Sequence, residues 1–142
     1  MSNDQQQALL QITQAVMGLL DSWELETQQV QQLLLLPETV RARALQKFRD
    51  GYEPLPDDPD TLRRARYLLR IADALRTTYP CNPKMSSRWV KQRHRRFGSR
   101  TPLSMILNEG EGGLIAVLAE LDCTFSWDLT GSRAPSASSA SS

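Results

Sequence analysis

Prolines divide this 142-residue chain into short segments. A proline inside a helix removes a backbone hydrogen bond and clashes with the preceding turn, so each proline cluster marks a helix boundary. Breaks are therefore expected at Pro37, across residues 52–60, at residues 80–83 and at Pro102. The segments between the breaks show the three-to-four-residue apolar spacing of helices, and none alternates as a strand does. The predicted fold class is all-α.

The N-terminal third predicts a unit of three helices. Apolar residues at helical spacing indicate a first helix over roughly 6–23 (Leu9, Ile12, Val16, Leu19 and Trp23). A second, short helix is expected to be capped by Thr27, with Val30, Leu33 and Leu34 inward. Pro37 ends that run and is suited to open a third helix, which Gly51 would terminate. Val40, Ala44 and Phe48 would form the inward face of this third helix.

Residues 52–60, "YEPLPDDPD", combine three prolines with four acids and predict a linker. After it, Asp60 or Thr61 is expected to cap a long helix that ends near Tyr79. Its apolar stripe is formed by Leu62, Ala65, Leu69, Ala72, Leu75 and Tyr79. A basic helix should then start at Ser86 or Ser87 and run to Phe97. Two short helices are expected over 102–108 and 113–122, separated by glycines at 110, 112 and 113 that end the first and let the second pack closely.

The formal net charge of +1 conceals a strong pattern along the chain. Residues 1–40 carry five acids and no Lys or Arg, residues 41–100 carry 16 Lys or Arg against six acids, and residues 101–132 carry five acids and no base. A basic centre between acidic ends is typical of proteins that bind a polyanion or an acidic surface. The alternative is that the oppositely charged parts neutralise each other within the fold.

The sequence offers little for catalysis or metal binding. His94 is the only histidine and lies in a run of arginines, where a solvated or nucleic-acid-facing side chain is expected. Cys81 and Cys123 are too far apart to form a CxxC pair, and the glycines of "NEGEGGL" lack the strand and Lys-Ser/Thr of a phosphate loop. No enzyme activity, cofactor or metal is predicted. No secretory or membrane segment is recognised either, so a cytoplasmic protein is expected.

Two features indicate binding of macromolecules. The first is the short helix, turn and cationic helix within residues 27–51, which suits a helix-turn-helix whose last helix enters a major groove. The candidate DNA-binding residues are Thr39, Arg41, Arg43, Lys47 and Arg49. A small helical bundle with a charged outer face would show the same pattern.

The second feature is the basic run from Lys84 to Arg100, with seven Lys or Arg, no acid and two interleaved aromatics. Its cations could bind phosphates or an acidic protein face, or they could simply be solvated. Trp89 and Phe97 are eight residues apart, which places both on one face of a continuous helix. Both aromatics are therefore expected in the core.

Three segments resemble the Xre/MbcA/ParS antitoxin family. They are "RRARYLLRIADALRTTYP", "RWVKQRHRRFGSRTPLSMIL" and "GEGGLIAVLAELD", which together cover about residues 61–122. The specific marks are the spacing of Trp, Phe-Gly, Thr-Pro-Leu and Gly, carried here by Trp89, Phe97, Gly98, Thr101, Pro102, Leu103, Gly110 and Gly113. More weakly, "DSWELETQQVQQLLLLPETVRA" is similar to that family's helix-turn-helix, which contains Trp-Gly-Leu and Leu-Leu-Gly.

The chain departs from the family's pattern at three places. Arg93-His94 replaces a Pro-Asn pair, and Ser99 replaces the second glycine of Phe-Gly-Gly. Leu35 or Leu36 stands where the helix-turn-helix turn usually has glycine, the residue that best tolerates a positive φ. This last change bears on the geometry of the turn and so on DNA binding.

The resemblance implies a type II antitoxin that binds and occludes a cognate toxin, typically a RES-domain enzyme that degrades NAD⁺, and that represses its own operon by binding operator DNA as a homodimer or a toxin–antitoxin hetero-oligomer. The candidate toxin-binding residues are Trp89, Gly98, Pro102, Glu109, Gly110, Glu111, Gly113 and Glu120. The acids among them would suit a basic toxin pocket that holds nucleotide phosphates. The alternative function is a helix-turn-helix repressor without a toxin.

The expected organisation is a DNA-binding or dimerisation unit over 1–51, a linker over 52–60, a toxin-binding region over 61–128 and a disordered Ser/Ala-rich tail over 129–142. The tail composition cannot bury enough apolar surface to order itself. Phe125 and Trp127, just before the tail, could pack back on the core, but docking on a partner or a second copy is the preferred expectation.

Overall fold

The structure is a computed structural model that describes the backbone of residues 3–130 and the side chains of residues 4–122 except Pro83. Within these limits the chain is all-α, as predicted, with seven α-helices and no strand. The helices are α1 Asn3–Ser22, α2 Thr27–Leu33, α3 Ala42–Asp50, α4 Pro59–Thr78, α5 Pro83–Lys91, α6 Pro102–Glu109 and α7 Glu111–Thr130. The tail from residue 131 onward, and the side chains of Phe125 and Trp127, lie outside the described residues.

Helix α4 occupies the centre of the molecule and packs against both α1 and α7. Its fully buried residues include Leu68, Ile71 and Leu75, which join one hydrophobic cluster with Met17 and Leu20 of α1 and with residues of α6 and α7. Ala65 and Leu75 of the predicted apolar stripe are buried, whereas Leu62, Leu69, Ala72 and Tyr79 are half-buried along its edges. The parts on either side of the predicted linker therefore share a core.

The N-terminal helices differ from the prediction at their starts. Glu26, not Thr27, is the N-cap of α2, and the Gln29 side chain accepts a hydrogen bond from the Glu26 backbone N–H at 2.8 Å. Pro37 does not open α3, because residues 34–41 form a connection and α3 begins at Ala42. Gly51 does end α3, in the left-handed conformation with φ +81°.

The predicted linker is tied to the core at its middle. Leu55 is buried, and its backbone N–H donates to the Thr13 hydroxyl of α1 at 2.9 Å. The cap of α4 is Asp58, whose carboxylate accepts from the backbone N–H of Thr61 at 3.0 Å, so the prediction of Asp60 or Thr61 was wrong by two or three residues. Thr61 is instead buried, and its hydroxyl donates to the Leu34 carbonyl at the end of α2.

The basic run forms two elements and not one helix. Helix α5 starts after its N-cap Asn82, earlier than the predicted Ser86 or Ser87, and it ends at Lys91. The chain then makes a single antiparallel bridge between His94 and Arg100 around a one-turn 3-10 helix, Arg95–Phe97. The prediction of one continuous helix from Ser86 to Phe97 was therefore wrong.

The corner between α6 and α7 depends on two glycines. Thr101 caps α6 by accepting from the Ser104 N–H at 3.0 Å, and Gly110 separates the helices with φ +61°. Gly112 and Gly113 were expected to help end α6, and this was wrong, because α7 already begins at Glu111. A Cβ on Gly113 would lie 2.2 Å from the Met105 carbonyl oxygen, so its lack of a side chain lets α7 pack directly on the backbone of α6, as predicted.

Three non-glycine residues among those described have a positive φ: Glu24 at 61°, Leu35 at 58° and Ser99 at 65°. Ser99 stands where the family resemblance predicts glycine, and Leu35 is one of the two candidates, with Leu36, for the glycine of the helix-turn-helix turn. Glu24 lies in Trp-Glu-Leu, at the position of the glycine in the family's Trp-Gly-Leu. The chain thus keeps the left-handed turns at these sites without the residue that adopts them at least cost.

Candidate functional site

Ion pairs connect the basic centre of the chain to its acidic ends. Asp21 and Glu24 of the N-terminal part bind Arg49 and Lys91, with shortest N–O distances of 2.9 and 2.7 Å. Three acids of the C-terminal part bind Arg63, Arg96 and Arg100. The charge asymmetry of the sequence is therefore partly neutralised within the fold, which was the alternative to a polyanion-binding surface.

The three acids predicted to bind the toxin are the three that form these C-terminal ion pairs. Glu111 binds Arg63 with both carboxylate oxygens, at 2.9 and 3.1 Å, and this pairing raises the pKa of the Arg63 guanidinium. Glu109 lies 2.8 Å from Arg100 and Glu120 lies 3.3 Å from Arg96. Glu120 is the most buried of the three, with its side chain 19% exposed. A partner that recruits these carboxylates must compete with arginines of the same chain.

The other predicted toxin-binding residues differ widely in exposure. Gly98 is exposed at the end of the 3-10 turn, with φ +66°. Trp89 and Gly110 are half-buried, and Pro102 and Gly113 are buried. The buried pair can support the corner between the last two helices, while direct contact with a partner is open to the exposed and half-buried positions.

Trp89, His94 and Phe97 form an aromatic cluster that holds the turn after α5. The His94 ring lies 4.8 Å from the Trp89 ring and 6.1 Å from the Phe97 ring, between centroids. Its Nε2 atom is 2.9 Å from the Trp89 carbonyl oxygen. Phe97 is buried as predicted, whereas Trp89 is only half-buried. His94, expected to face solvent or nucleic acid, is instead half-buried and engaged with the backbone.

The predicted DNA-binding residues are brought together around α3. Thr39, Arg41, Arg43 and Lys47 are all exposed, and within the described part of the chain the three cations have no carboxylate partner. Arg49 differs, because its guanidinium is held by Asp21 of α1. The connection from α2 to α3, residues 34–41, is longer than the roughly three- to four-residue turn of a compact helix-turn-helix.

The basic run offers a second group of cations for comparison. Lys91 and Arg96 are occupied by Glu24 and Glu120, and the Lys91 ammonium holds the pKa of Glu24 below its usual value. Arg93 and Arg95 are exposed and, in the part of the chain that the structure describes, form no ion pair.

Arg64 makes interhelical contacts that were not predicted from the sequence. It extends from α4, where its Nη1 donates to the Leu33 carbonyl of α2 at 3.1 Å, and its guanidinium lies beside Gly110. Its Nε atom is buried and has no hydrogen-bond partner among the described residues. One cation therefore bridges the end of α2 and the corner between α6 and α7. The one sequence signal for this contact was the position of Arg64 on α4, next to the buried Ala65.

Among the described residues, no cluster of His, Cys, Asp and Glu could hold a metal ion. The helices described are also not long and apolar enough to cross a membrane.

A family model matches residues 74–124, and it describes the C-terminal toxin-binding domain of Xre/MbcA/ParS antitoxins. This segment is similar to that toxin-binding domain. The resemblance inferred from the Trp, Phe-Gly and Thr-Pro-Leu spacing is confirmed. No curated protein and no solved structure matches the chain.

The toxin-binding domain runs from the last turns of α4 into α7 and contains every predicted toxin-binding residue, from Trp89 to Glu120. The candidate DNA-binding residues on and before α3 lie outside the matched segment. The individual site residues, and the boundaries of a separate N-terminal unit, remain predictions.

Proposed function

We propose that this protein is the antitoxin of a type II toxin–antitoxin system, that it occludes a RES-domain, NAD⁺-degrading toxin, and that it represses its own operon by binding operator DNA. The observation that carries the proposal is the toxin-binding domain at residues 74–124. The RES class of toxin is taken from the resemblance of the chain to its family. In this role the protein acts in the cytoplasm, without catalysis or a cofactor.

The toxin-facing surface would include the exposed edge of the corner between α6 and α7. Glu109 and Glu111 flank Gly110 at this corner, and these two acids and Gly98 are each at least partly accessible. Since the arginine partners of these two acids are 45% and 47% exposed, exchanging an internal ion pair for one with the toxin would cost little. Acids here suit a toxin pocket that is basic because it holds nucleotide phosphates.

Co-expression with the product of a neighbouring reading frame tests the antitoxin role. The chain should restore growth of cells that express the toxin and should co-purify with it. One variant separates toxin binding from DNA binding: replacing Arg41, Arg43 and Lys47 together by Ala should leave the rescue intact. Failure of the folded full-length chain both to rescue and to co-purify would reject this toxin as its partner.

Repression is supported by the unpaired cations of α3, and they also favour the second candidate function, a helix-turn-helix repressor with no toxin. Contacts between cations and phosphates make DNA binding fall steeply as salt rises. In a gel-shift titration with the upstream promoter fragment, the triple Ala variant should lose the shift. As a matched control, Ala at Arg93 and Arg95 removes two unpaired cations elsewhere and should keep it.

The two candidate functions give different combined outcomes. Promoter binding together with toxin rescue supports the full proposal, whereas promoter binding without any toxin complex supports the stand-alone repressor. If only the changes at Arg93 and Arg95 abolish the shift, α3 is not the helix that contacts DNA. Oligomeric state, expected to be a homodimer or a toxin–antitoxin assembly, would be measured on the same samples by light scattering.

A further inference from the structure

A cavity of about 450 Å³ opens between the C-terminal ends of α1 and α4 and the start of α5. Its floor is apolar and includes Leu19, Trp23, Ala72 and Leu75. Trp23 and Leu75 belong to the core and are only 2% and 1% exposed, so they close the base of the cavity. A cavity of roughly 300–1,000 Å³ with apolar walls and a few polar groups is the usual form of a small-molecule site.

The rim of the cavity is cationic. Arg76 of α4 and Lys84 of α5 lie on it, together with the side chains of Ser22, Ser86 and Ser87, and its described lining contains no carboxylate. Lys84 is exposed and has no ion-pair partner among the described residues. Arg76 pairs with Asp73, but both side chains are 72% exposed, and exposed pairs of this kind are weak. Both cations are thus available to an anion at the mouth.

We propose that this cavity binds a small amphipathic acid, a molecule that joins a ring-sized apolar body to one carboxylate. The body lies against Leu19, Trp23 and Ala72, and the carboxylate reaches Lys84 and Arg76, with a hydroxyl donor from Ser86. The hydroxyls of Ser22 and Ser87 already donate to backbone carbonyls. The site is separate from the α3 cations and from the corner of α6 and α7. It therefore does not depend on the proposed function.

The size of the cavity favours a small molecule over a docked protein. A stable protein interface buries about 800 Å² on each partner, much of it on flat surface. This site is instead a single concavity lined by apolar residues and by a few polar side chains. Because the lining comes from α1, α4 and α5, an occupant would contact both the N-terminal helices and the toxin-binding domain.

The charge requirement is tested with two probes of almost identical shape, 1-naphthaleneacetate and the neutral 1-naphthaleneacetamide. Each is titrated into the ¹⁵N-labelled full-length chain. The acetate should shift the amide signals of Leu19 and Ser22 and the indole N–H of Trp23. It should bind at least about threefold more tightly than the acetamide, which is the size of effect expected for ion pairs at an exposed rim.

Two substitutions, each with a matched control, locate the site. Lys84→Gln should reduce acetate affinity towards that of the acetamide, whereas Arg66→Gln, which removes an exposed cation outside the lining, should not. Ala72→Phe fills the cavity and should abolish binding of both probes, whereas Ala119→Phe, at an exposed position of α7, should not. Circular dichroism checks that each variant is folded.

Three results would overturn the proposal: no binding of either probe at millimolar concentration, equal affinity for the acid and the amide, or chemical-shift changes away from the cavity. If Ala72→Phe does not fold, the probe pair and Lys84→Gln still decide the matter. Toxin rescue by the Lys84→Gln variant should be normal, so a failure of this proposal is distinguishable from a failure of the antitoxin role.

Discussion

At Leu35 the backbone has a conformation that suits glycine better than leucine. Its φ of 58° is left-handed, and its side chain is 46% exposed, so little apolar burial offsets the strain. A non-glycine residue in this region destabilises the fold by about 1–2 kcal/mol. Glycine removes that strain, but it loses more backbone entropy on folding, which offsets about 0.5–1 kcal/mol of the gain. Leu35→Gly should therefore raise the free energy of unfolding by up to about 1 kcal/mol.

Leu36 provides the matched control for this prediction. It is the next residue along the chain but is buried, so Leu36→Gly should lower the free energy of unfolding by about 2 kcal/mol or more. Urea denaturation followed by circular dichroism measures both. If Leu35→Gly destabilised as much as Leu36→Gly does, strain at Leu35 would not be the governing term.

Gly113 and Gly112 make a second matched pair at the start of α7. A Cβ on Gly113 would meet the Met105 carbonyl, whereas one on Gly112 would meet nothing within 4 Å. Gly113→Ala should lower the free energy of unfolding by about 1–3 kcal/mol through overpacking. Gly112→Ala should raise it by about 0.5–1 kcal/mol, since alanine favours the helix. Equal effects in thermal denaturation would contradict the close packing of α6 and α7.

For single residues, the features that depend on local chemistry, such as caps and burial, could be predicted from the sequence. Gly51 as a C-cap and Phe97 in the core follow from conformational freedom and hydrophobicity, and both are confirmed. The cap of α4 was misplaced because Asp58, Asp60 and Thr61 can all cap a helix. The choice between them is made by tertiary contacts, since Thr61 is buried and donates to Leu34.

Between elements, ion pairs engage the carboxylates at the corner of α6 and α7, and their contribution to stability can be measured. Glu109 binds Arg100, and their side chains are 42% and 47% exposed. Glu109→Arg alone and Arg100→Glu alone should each lower the free energy of unfolding by less than about 1 kcal/mol, and the exchanged double variant should restore it. The double-mutant comparison therefore isolates the role of the pair in stability.

The same variants test toxin contact. If Glu109 faces the toxin, as proposed, affinity falls in Glu109→Arg and stays low in the stable double variant. Calorimetric titration with the toxin measures this. Affinity that returns with the exchanged pair would mean that Glu109 only supports the fold.

Glu24 and Lys91 join the end of α1 to α5, and this pair predicts a pH dependence. Lys91 holds the pKa of Glu24 below its ordinary value of 4.5 in the folded chain. The contribution of Glu24 is therefore complete above pH 4.5 and is lost as the pH falls through its folded pKa. Glu24→Gln should flatten the acid side of the stability profile. Glu38→Gln, at an exposed acid with no ion-pair partner among the described residues, is the control and should leave the acid-side loss of stability unchanged.

Element boundaries were less predictable than element existence. The break after Lys91 has no proline or glycine to announce it, so the sequence indicated one helix from Ser86 to Phe97. The chain turns there because the His94–Arg100 bridge and the aromatic cluster form in the fold. The five ion pairs between the basic centre and the acidic ends were equally inaccessible, since they depend on which helices become neighbours.

Over the whole molecule, α4 joins the three N-terminal helices to the toxin-binding domain through one core. Arg64 adds a polar link, because it contacts both the end of α2 and the corner at Gly110. The all-α class and the family were accessible from the sequence, because the Trp, Phe-Gly and Thr-Pro-Leu spacing is specific. The core shared by the two halves was not predictable from the sequence, because the Pro-rich segment suggested a linker between separate units. Only the structure shows that Leu55 of this segment is buried in the core.

The central claim is that this chain neutralises an NAD⁺-degrading toxin by binding it. The most direct measurement is the rate of NAD⁺ consumption by the purified toxin as the purified full-length chain is added. We expect the rate to fall to background once the chain saturates the toxin, and the two proteins then to co-elute as one complex. Undiminished NAD⁺ consumption in the presence of excess, folded protein would contradict it.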